Sequence, residues 1–194
     1  MEVLVLDDHS EDATRTLAEA AIRDDSRFRV ITVDGDGKKD AVAQGVVEAR
    51  GAAIVTTDAD CLHGESWLLA MCAPFRGETD IAAGPVVYTG RTTLFHRLQA
   101  LEFLGLMGVG AGFFGIGYPR LCNGANLAYR RACFVSVSGF AGNAGVHSGD
   151  DEFLLHKIVY QAGGSAHFVT RQEAVVRTTA APTVRAFLLQ RIRW

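Results

Sequence analysis

The sequence predicts an α/β fold, in which helices flank a mixed and mostly parallel β-sheet. The first half of the chain alternates short β-rich apolar runs with segments of helical periodicity, in the order β-α-β-α-β that is typical of parallel sheets. Two of the apolar runs, Val3–Leu6 and Ala52–Thr57, are followed at once by aspartates. With 194 residues, of which 48% are hydrophobic, the chain can form one full-sized domain but not two comfortable ones.

The first half holds three predicted strands and two predicted helices. Ser10 is the expected N-cap of the first helix, because its hydroxyl can accept a backbone N–H and two acids follow it in the first turn. Gly37 precedes the second helix, which begins with Lys38 and Lys39. The three strands are expected at Val3–Leu6, Phe28–Val33 and Ala52–Thr57.

The second half mixes helices and strands, and it contains no internal repeat or linker. Apolar residues at helical spacing predict helices there, and β-rich runs predict strands. The helices are expected at Trp67–Phe75, Leu94–Leu104, Asp151–Gln161 and Thr183–Trp194, and the strands at Ile81–Thr89, Leu121–Tyr129, Ala166–Thr170 and Ala174–Thr178.

The uncharged segment Phe103–Pro119 is the most membrane-like part of the sequence. It is marginal in length for a bilayer span, contains six glycines and ends at a proline. We therefore expect a partly buried or interfacial segment in preference to a transmembrane helix.

Charge and cysteine content narrow the possible functions. A net charge of -3 and the lack of a long Lys/Arg run disfavour a nucleic-acid partner. From Leu154 onward the chain has six basic residues and one acid, a balance that suits phosphate groups or an anionic membrane surface. The four cysteines show no CxxC spacing, so we expect reduced thiols in a cytosolic domain.

The strongest local feature is the pair Asp58 and Asp60, separated by one residue just past a predicted buried strand. In open α/β sheets, ligands bind at the carboxyl ends of strands, where both side chains can turn toward one ligand. Carboxylate oxygens suit Mg²⁺ or Mn²⁺, and such a cation can neutralise a diphosphate leaving group. Acids on an ordinary surface loop are the simpler explanation of this pair taken alone.

Four further groups of residues have both a functional and a structural interpretation. Asp7 and Asp8 could accept hydrogen bonds from a ribose or uracil, or cap a helix. Lys38 could pair with a pyrophosphate at a helix N-terminus, or lie exposed. Asp150 and Asp151 begin a predicted helix after a glycine-rich segment, where an acid could act as general base or favour the helix dipole. At the end of the chain one helix face presents Gln190, Arg193 and Trp194, suited to a diphosphate and a sugar ring or to an amphipathic helix end.

The order of these features is more informative than any one of them. Along the chain they read DD from Asp7, GK from Gly37, DAD from Asp58, CNGANLAYRR from Cys122, GDDEF from Gly149 and QRIRW to Trp194. The series resembles the motif order of family-two glycosyltransferases, which have a GT-A fold, a Rossmann-like fold of nucleotide-diphospho-sugar transferases. The resemblance covers nearly the whole chain, and six motifs at sensible intervals rarely coincide by chance.

The resemblance implies a metal-dependent glycosyltransferase that inverts the configuration of the transferred sugar. The donor is expected to be a nucleotide-diphosphate sugar, with UDP favoured by family frequency, and the cofactor Mg²⁺ or Mn²⁺. The expected acceptor is a saccharide or a lipid-linked molecule, bound at the cytoplasmic face of a membrane. One domain, residues 1–194, is expected, with the donor half at 1–90 and the acceptor and catalytic-base half at 91–194.

The resemblance also implies roles for individual residues. The base of the donor would contact one acid of the first pair, with Asp7 preferred to Asp8, and the metal would bind the DxD pair. Asp151, which matches the acid of the family's ED motif, would take the acceptor proton, with Asp150 beside it. The other expected donor-site residues are Lys38, Asp58, Asp60 and the QxxRW residues Gln190, Arg193 and Trp194, and the expected lining of the sugar is Asn123, Gly124 and Asn126.

The sequence departs from the family pattern at both ends. Family members normally have another strand ahead of the one that begins at Val3, and many continue past the QxxRW motif into membrane helices. We therefore expect a piece of a longer enzyme that lacks the usual first strand. Two alternatives stay open: an inactive or donor-binding-only fragment, and a sugar-phosphate nucleotidyltransferase, although the glycine-rich N-terminal phosphate loop of the latter is not found here.

Overall fold

The protein has an α/β fold, as the sequence predicts. The structure is a computed structural model that describes residues 1–90, 93–143 and 149–193, without the side chain of residue 193. The chain divides into two compact units, Met1–Ile54 and Val55–Trp194, and each is described by itself below.

The first unit is built around two parallel strands. β1 (Val3–Asp7) pairs with β2 (Phe28–Thr32) over five residues, and α1 (Thr14–Ile22) lies between them in sequence, since parallel strands need a crossover connection. α2 (Lys38–Glu48) packs on β1. A side chain at Gly45 would come within 2.8 Å of Leu6, so the glycine allows this close packing.

Two sheets organise the second unit. β3 (Ala53–Thr56), at the junction of the units, is the first strand of a sheet with the order β3-β6-β4-β7, in which β4 (Ile81–Ala83) is antiparallel to β6 (Leu127–Arg130) and parallel to β7 (Ala166–Phe168). The three residues of β4 are fully buried, which makes this strand the centre of the core. A second, two-stranded sheet pairs β5 (Val86–Thr89) in parallel with β8 (Val176–Thr179).

Helices cover these sheets. α3 (Trp67–Cys72) continues as a 3₁₀ turn, Ala73–Arg76, and α4 (Leu94–Gly115) packs against β5 and β7. The indole of Trp67 packs against two core clusters, one around Met71 and Ala82 and one around Val86 and Phe103. The remaining helices are α5 (Arg131–Ser136), α6 (Asp150–His156), which continues as a π-helical turn at Lys157–Gln161, and α7 (Val184–Arg193).

The start of α1 differs from the prediction. Ser10 is not the N-cap: the helix begins at Thr14 after Ala13, and the Asp12 carboxylate accepts the Thr14 N–H at 2.9 Å. A carboxylate so close to the first residue of the helix provides an alternative acceptor for the orphan amides of the first turn.

Two predicted strands are shorter than expected. The run Ile81–Thr89 is divided at Gly84 and Pro85, because proline has no N–H to donate to a ladder. The Pro85 carbonyl accepts both the Val176 N–H at 3.0 Å and the Asn126 side-chain amide at 2.9 Å. The run Leu121–Tyr129 contains a 3₁₀ turn at Gly124–Asn126 ahead of β6. Residues with side-chain amides compete with strand pairing in this way.

The helix α4 is longer than predicted. It continues from Leu104 through the glycine-rich segment to Gly115, because tertiary packing outweighs the low helix propensity of glycine. Gly110, for example, lies so close to the Leu121 backbone that a side chain would reach 3.3 Å from the carbonyl oxygen. By length and composition alone, this helix could cross a membrane. Of its most apolar 18-residue stretch, 17% is buried in the protein.

Candidate active site

In the first unit, the two neighbouring acids at the end of β1 have different environments. The exposed Asp8 carboxylate accepts the N–H of Gly37, the residue before α2, at 3.0 and 3.2 Å. Asp7 is 7% exposed, and its Oδ1 has no hydrogen-bond partner among the described residues. A buried carboxylate oxygen without a donor is costly, so a ligand donor at this position would stabilise Asp7.

Lys38 is the first residue of α2 and is exposed. Gly37, its N-cap, has a φ of 86°, which favours glycine. Asp8 and Lys38 are thus brought to the same helix start, Asp8 through its bond to Gly37 and Lys38 as the next residue.

In the second unit, a turn after β3 presents Asp58 and Asp60. The Cys61 N–H donates to the Asp58 carbonyl at 3.1 Å, and Leu62 forms an antiparallel bridge with Arg177 of β8. The adjacent Thr178 hydroxyl donates to Asp60 Oδ2 at 3.2 Å. The DxD turn is therefore anchored to β8, a strand far away in sequence.

The two carboxylates suit a hard cation. Asp60 is exposed, Asp58 is half-buried, and carboxylate oxygens are the preferred ligands of Mg²⁺ and Mn²⁺. Each carboxylate oxygen has two lone pairs, so Asp60 can bind a cation while it accepts the Thr178 hydrogen bond. Within the described ranges no group of three or more His, Cys, Asp or Glu residues is arranged to hold a metal ion.

The start of α6 meets the turn that precedes β6. Gly124 donates its N–H to Asp151 Oδ2 at 2.6 Å, and the Glu152 N–H donates to Asp151 Oδ1 at 2.9 Å. Asp151 is half-buried, and Asp150 lies beside it as the first residue of α6. Gly149, in the left-handed conformation with a φ of 75°, lets the chain enter the helix at this point. The structure thus joins two motifs that are 27 residues apart.

Asn126, the last residue of this turn, has a buried side chain that does not line the surface. It is 0% exposed, its amide Nδ2 donates to the carbonyls of Pro85 and Ala174, and its Oδ1 accepts the indole N–H of Trp67 at 3.0 Å. Its amide is therefore occupied by protein partners, whereas Asn123 is only half-buried and accepts the Ala125 N–H. The predicted sugar-lining role of Asn126 conflicts with this burial, and that of Asn123 and Gly124 stays a prediction.

Negative charge accumulates around Asp151. Burial, followed by the charge of Asp151, raises the pKa of Glu152 above its usual value of 4.5. Burial and the charges of Asp151 and Glu152 raise the pKa of the Cys122 thiol well above 9.0, so this cysteine stays neutral. The charge of Asp151 thus adds to burial in disfavouring the ionised forms of Glu152 and Cys122.

The structure describes only part of the predicted QxxRW motif in the final helix. Gln190 is half-buried near the Tyr88 hydroxyl, while Trp194 and the side chain of Arg193 lie outside the described part of the chain. Arg191, which the motif does not include, forms an ion pair with Glu102 of α4 and stacks on Phe187 at 4.6 Å. This pair ties α7 to α4.

Sequence analysis missed three residues that support the site. Thr56 and Trp67 contact the turn at 123–126, whereas the sequence pattern indicates only a strand residue and a core residue at these positions. Lys157 is buried and donates to the carbonyls of Gly139 at 2.8 Å and Ala141 at 3.0 Å, which holds these two residues against the helix. Of these three residues, Lys157 alone had a sequence signal, because it is a lysine in the apolar stripe of a predicted helix.

Solved structures with a similar fold define the class of this protein. It resembles a mannosyltransferase from Pyrobaculum calidifontis in complex with GDP-Man and Mn²⁺, with a TM-score of 0.72, 22% identity and coverage of 99% of this chain and 51% of that one. It also resembles GalNAc-T7 with UDP, GalNAc and Mn²⁺, with a TM-score of 0.64, 15% identity and coverage of 96% and 40%. A third similar structure is glucosyl-3-phosphoglycerate synthase from Mycobacterium tuberculosis with phosphoglyceric acid, with a TM-score of 0.56, 20% identity and coverage of 92% and 59%. The fold is that of the GT-A glycosyltransferases.

The family follows from the sequence match. The model of Glycosyl transferase family 2 matches residues 1–134, more than half of the chain, and the chain belongs to this family. A search of curated proteins finds no match. The chain spans about half the length of the solved structures it resembles, and residues 135–194, with Asp151 and the QxxRW motif, lie beyond the family match.

Proposed function

We propose that this chain is the catalytic part of an inverting glycosyltransferase that moves a sugar from a nucleotide-diphosphate donor to an acceptor hydroxyl. The observation that supports it best is the hydrogen bond between Gly124 and Asp151, which joins the two motifs assigned to the acceptor side of the sugar and to the catalytic base. The chain belongs to Glycosyl transferase family 2, so what we propose is the stereochemistry of the transfer, the donor, the metal and the acceptor.

In the first unit, the nucleotide part of the donor is assigned to Asp7 and Lys38. Asp7 would accept a hydrogen bond from the nucleotide base or ribose, which the unpartnered Asp7 oxygen supports. Lys38, at the positive end of α2, would lie near the pyrophosphate. UDP remains the favoured nucleotide by family frequency, although the similar structures contain both GDP-Man and UDP.

The Asp58 and Asp60 carboxylates would hold Mg²⁺ or Mn²⁺. When bound, the cation supplies positive charge that stabilises the diphosphate as it leaves. The Mn²⁺ in two similar structures supports this assignment, as does the oxygen chemistry of the pair. Thr178 would keep the Asp60 side chain in place through its hydroxyl hydrogen bond.

Asp151 would act as general base on the acceptor. Its two oxygens accept backbone hydrogen bonds from Gly124 and Glu152, which orient the carboxylate, and a positioned carboxylate can take a proton from an acceptor hydroxyl. The acceptor oxygen would give its proton to Asp151 and form a bond to the anomeric carbon, while the bond from that carbon to the diphosphate oxygen breaks. The nucleotide diphosphate leaves from the opposite face, so the configuration inverts in one displacement without a covalent enzyme intermediate.

A membrane-bound acceptor is favoured by the surface of α4 and α7. Leucines along α4 and apolar residues of α7 are exposed, and the rings of Phe95 and Phe187 pack at 6.0 Å between the two helices. α4 also packs on its own unit, through the Tyr88–Phe103 stack at 4.3 Å. A helix held on one side by protein and apolar on the other suits the plane of a bilayer surface. The exposed apolar residues are Leu94, Leu98, Leu101, Leu104 and Val109 of α4 and Val184, Leu188, Leu189 and Ile192 of α7.

Basic residues make anionic lipid the best partner for this surface. Arg97 of α4 and Arg185 of α7 are exposed on the same helices, and Arg120 follows α4. The stretch between Glu102 and Arg120 contains no charged side chain. Apolar contact area flanked by arginines matches the boundary between acyl chains and negative headgroups. We therefore propose that the enzyme works at the cytoplasmic face of a membrane on a saccharide or lipid-linked acceptor.

Calorimetric titration of UDP and GDP, each with and without Mn²⁺, tests the proposal. We expect nucleotide binding that requires the metal. Asp60→Asn should lose this binding, whereas the control Glu65→Gln, at an exposed acid of the same loop, should keep it. The second measurement is slow hydrolysis of a UDP- or GDP-sugar, followed by NMR of the released anomer. Hydrolysis with retained configuration would contradict inversion, and metal-dependent binding without any turnover would favour the donor-binding-only alternative. A folded chain that binds neither nucleotide would contradict the donor site.

A further inference from the structure

The turn at residues 123–126 is clamped from two sides by side chains without an assigned role. On one side, the Thr56 hydroxyl donates to the Gly124 carbonyl at 2.9 Å and lies 3.3 Å from the Leu127 carbonyl. Thr56 is the last residue of β3, two positions before Asp58. The strand that ends in the DxD pair is thus bonded directly to the residue whose N–H binds Asp151.

On the other side, Trp67 holds the end of the same turn. Its indole N–H donates to Asn126 Oδ1 at 3.0 Å, and the Asn126 N–H donates to the Asn123 carbonyl at 2.9 Å. Trp67 itself packs against two core clusters, and the Asn126 amide is bonded to two more carbonyls. This side of the turn is therefore anchored in the buried core of the unit.

We infer that Thr56 and Trp67 are positioning residues that aim the Gly124 N–H at Asp151 and so fix the proposed base relative to the DxD strand. This inference rests on the proposed function for its kinetic consequences only. Glycine has more backbone freedom than any other residue, so Gly124 needs external contacts to hold one conformation. The Thr56 hydroxyl bonds the carbonyl of the same residue whose N–H meets Asp151, so it restrains the peptide group after Gly124, while the bond to Asp151 restrains the one before it.

A pair of substitutions at Thr56 tests the inference. Valine has nearly the shape of threonine but no hydroxyl, whereas serine keeps the hydroxyl. We expect Thr56→Val to lower kcat by about 10- to 100-fold with little change in metal-dependent nucleotide affinity, since misplacement of a catalytic group affects the reaction more than binding. Thr56→Ser should retain most of the activity.

A double-mutant cycle with Asp151→Asn separates positioning from a general loss of stability. If Thr56 acts through Asp151, Thr56→Val should have almost no further effect on the residual rate in the Asp151→Asn protein. An equal decrease of the rate in both backgrounds would overturn the inference, because the effect would then not pass through the base.

The Gly124 amide proton gives a readout that does not depend on activity. A short hydrogen bond to a carboxylate shifts an amide proton downfield, so in ¹H–¹⁵N spectra we expect this resonance to move upfield in Asp151→Asn and in Thr56→Val, but not in Thr56→Ser. An unchanged resonance in Thr56→Val would overturn the inference even if the enzyme showed no transfer at all. Should Thr56→Val fail to fold, Trp67→Phe provides the same comparison from the other side of the turn, because phenylalanine keeps an aromatic ring but cannot donate to Asn126.

Discussion

The N–H of Gly124 lies 2.6 Å from Oδ2 of Asp151, and this hydrogen bond connects the turn before β6 to the first turn of α6. A charge-assisted bond of this length holds the carboxylate in one orientation. Because the same carboxylate accepts the Glu152 N–H, both oxygens are fixed before any ligand arrives. The proposed base is therefore preorganised by backbone N–H groups of the two motifs that meet here.

The clearest test of the base is the substitution Asp151→Asn. We expect kcat for transfer or donor hydrolysis to fall by about 10²- to 10⁴-fold, the usual contribution of a general base, while metal-dependent nucleotide affinity changes little. The matched control is Glu152→Gln, which removes the neighbouring carboxylate but leaves Asp151 and the Glu152 backbone N–H intact. A similar loss of kcat in both variants would show that local charge, and not the Asp151 carboxylate, governs the rate.

Glu152 should make the protein less stable as the pH rises. Its pKa in the folded protein is raised above 4.5 by burial and by the charge of Asp151, so the folded state binds the proton more tightly than the unfolded chain does. The contribution of protonated Glu152 to the free energy of unfolding is fully present below about pH 4.5 and is lost as the pH rises through the higher pKa of the folded protein. We expect Glu152→Gln to have a higher Tm than the wild type at pH 7, with a smaller difference near pH 4.5. An equal Tm difference at both pH values would contradict this account.

Two glycines should respond in opposite ways to alanine. A Cβ at Gly84 would lie 2.4 Å from Asn126 Nδ2 and 2.8 Å from Met71 Sδ, so Gly84→Ala should displace the buried Asn126 and cost on the order of 1–3 kcal/mol. Gly105 in α4 has no atom within 4 Å of that position, so Gly105→Ala should gain up to about 1 kcal/mol of helix propensity. Urea unfolding measures both free energies of unfolding, and a stable Gly84→Ala protein would disprove the tight packing around Asn126.

The apolar surface of α4 and α7 should bind anionic vesicles. We expect the protein to cosediment with phosphatidylglycerol vesicles more strongly than with vesicles of phosphatidylcholine alone. The combined substitutions Leu98→Asp and Leu188→Asp should reduce this binding, since a charge at the acyl boundary is unfavourable. The control is Leu17→Asp, a leucine of α1 that is 65% exposed and lies in the other unit. If Leu17→Asp weakens binding as strongly as the paired substitutions, vesicle binding does not involve α4 and α7. Binding that survives carbonate extraction would indicate that α4 is inserted across the bilayer instead of lying on its surface.

Local patterns along the chain were enough to predict the α/β fold, the family and most of the elements. β1, β2 and β3 follow from apolar β-rich runs, and α2 follows from Gly37 and the lysines after it. These features depend on neighbouring residues, which is why a sequence pattern expresses them. The positions of Asp58 and Asp60 directly after a strand were predictable for the same reason.

Tertiary structure alone decided how the site residues are held and which glycines a helix can include. α4 extends through its glycines because β5 and β7 pack against it, and Asn126 is buried because Trp67, Pro85 and Ala174 bind its amide. The pairing of Gly124 with Asp151 joins residues 27 positions apart, and Thr56 lies 68 positions from Gly124. Such contacts depend on how strands and helices pack in space, and a single sequence records the residue types but not the distances between them.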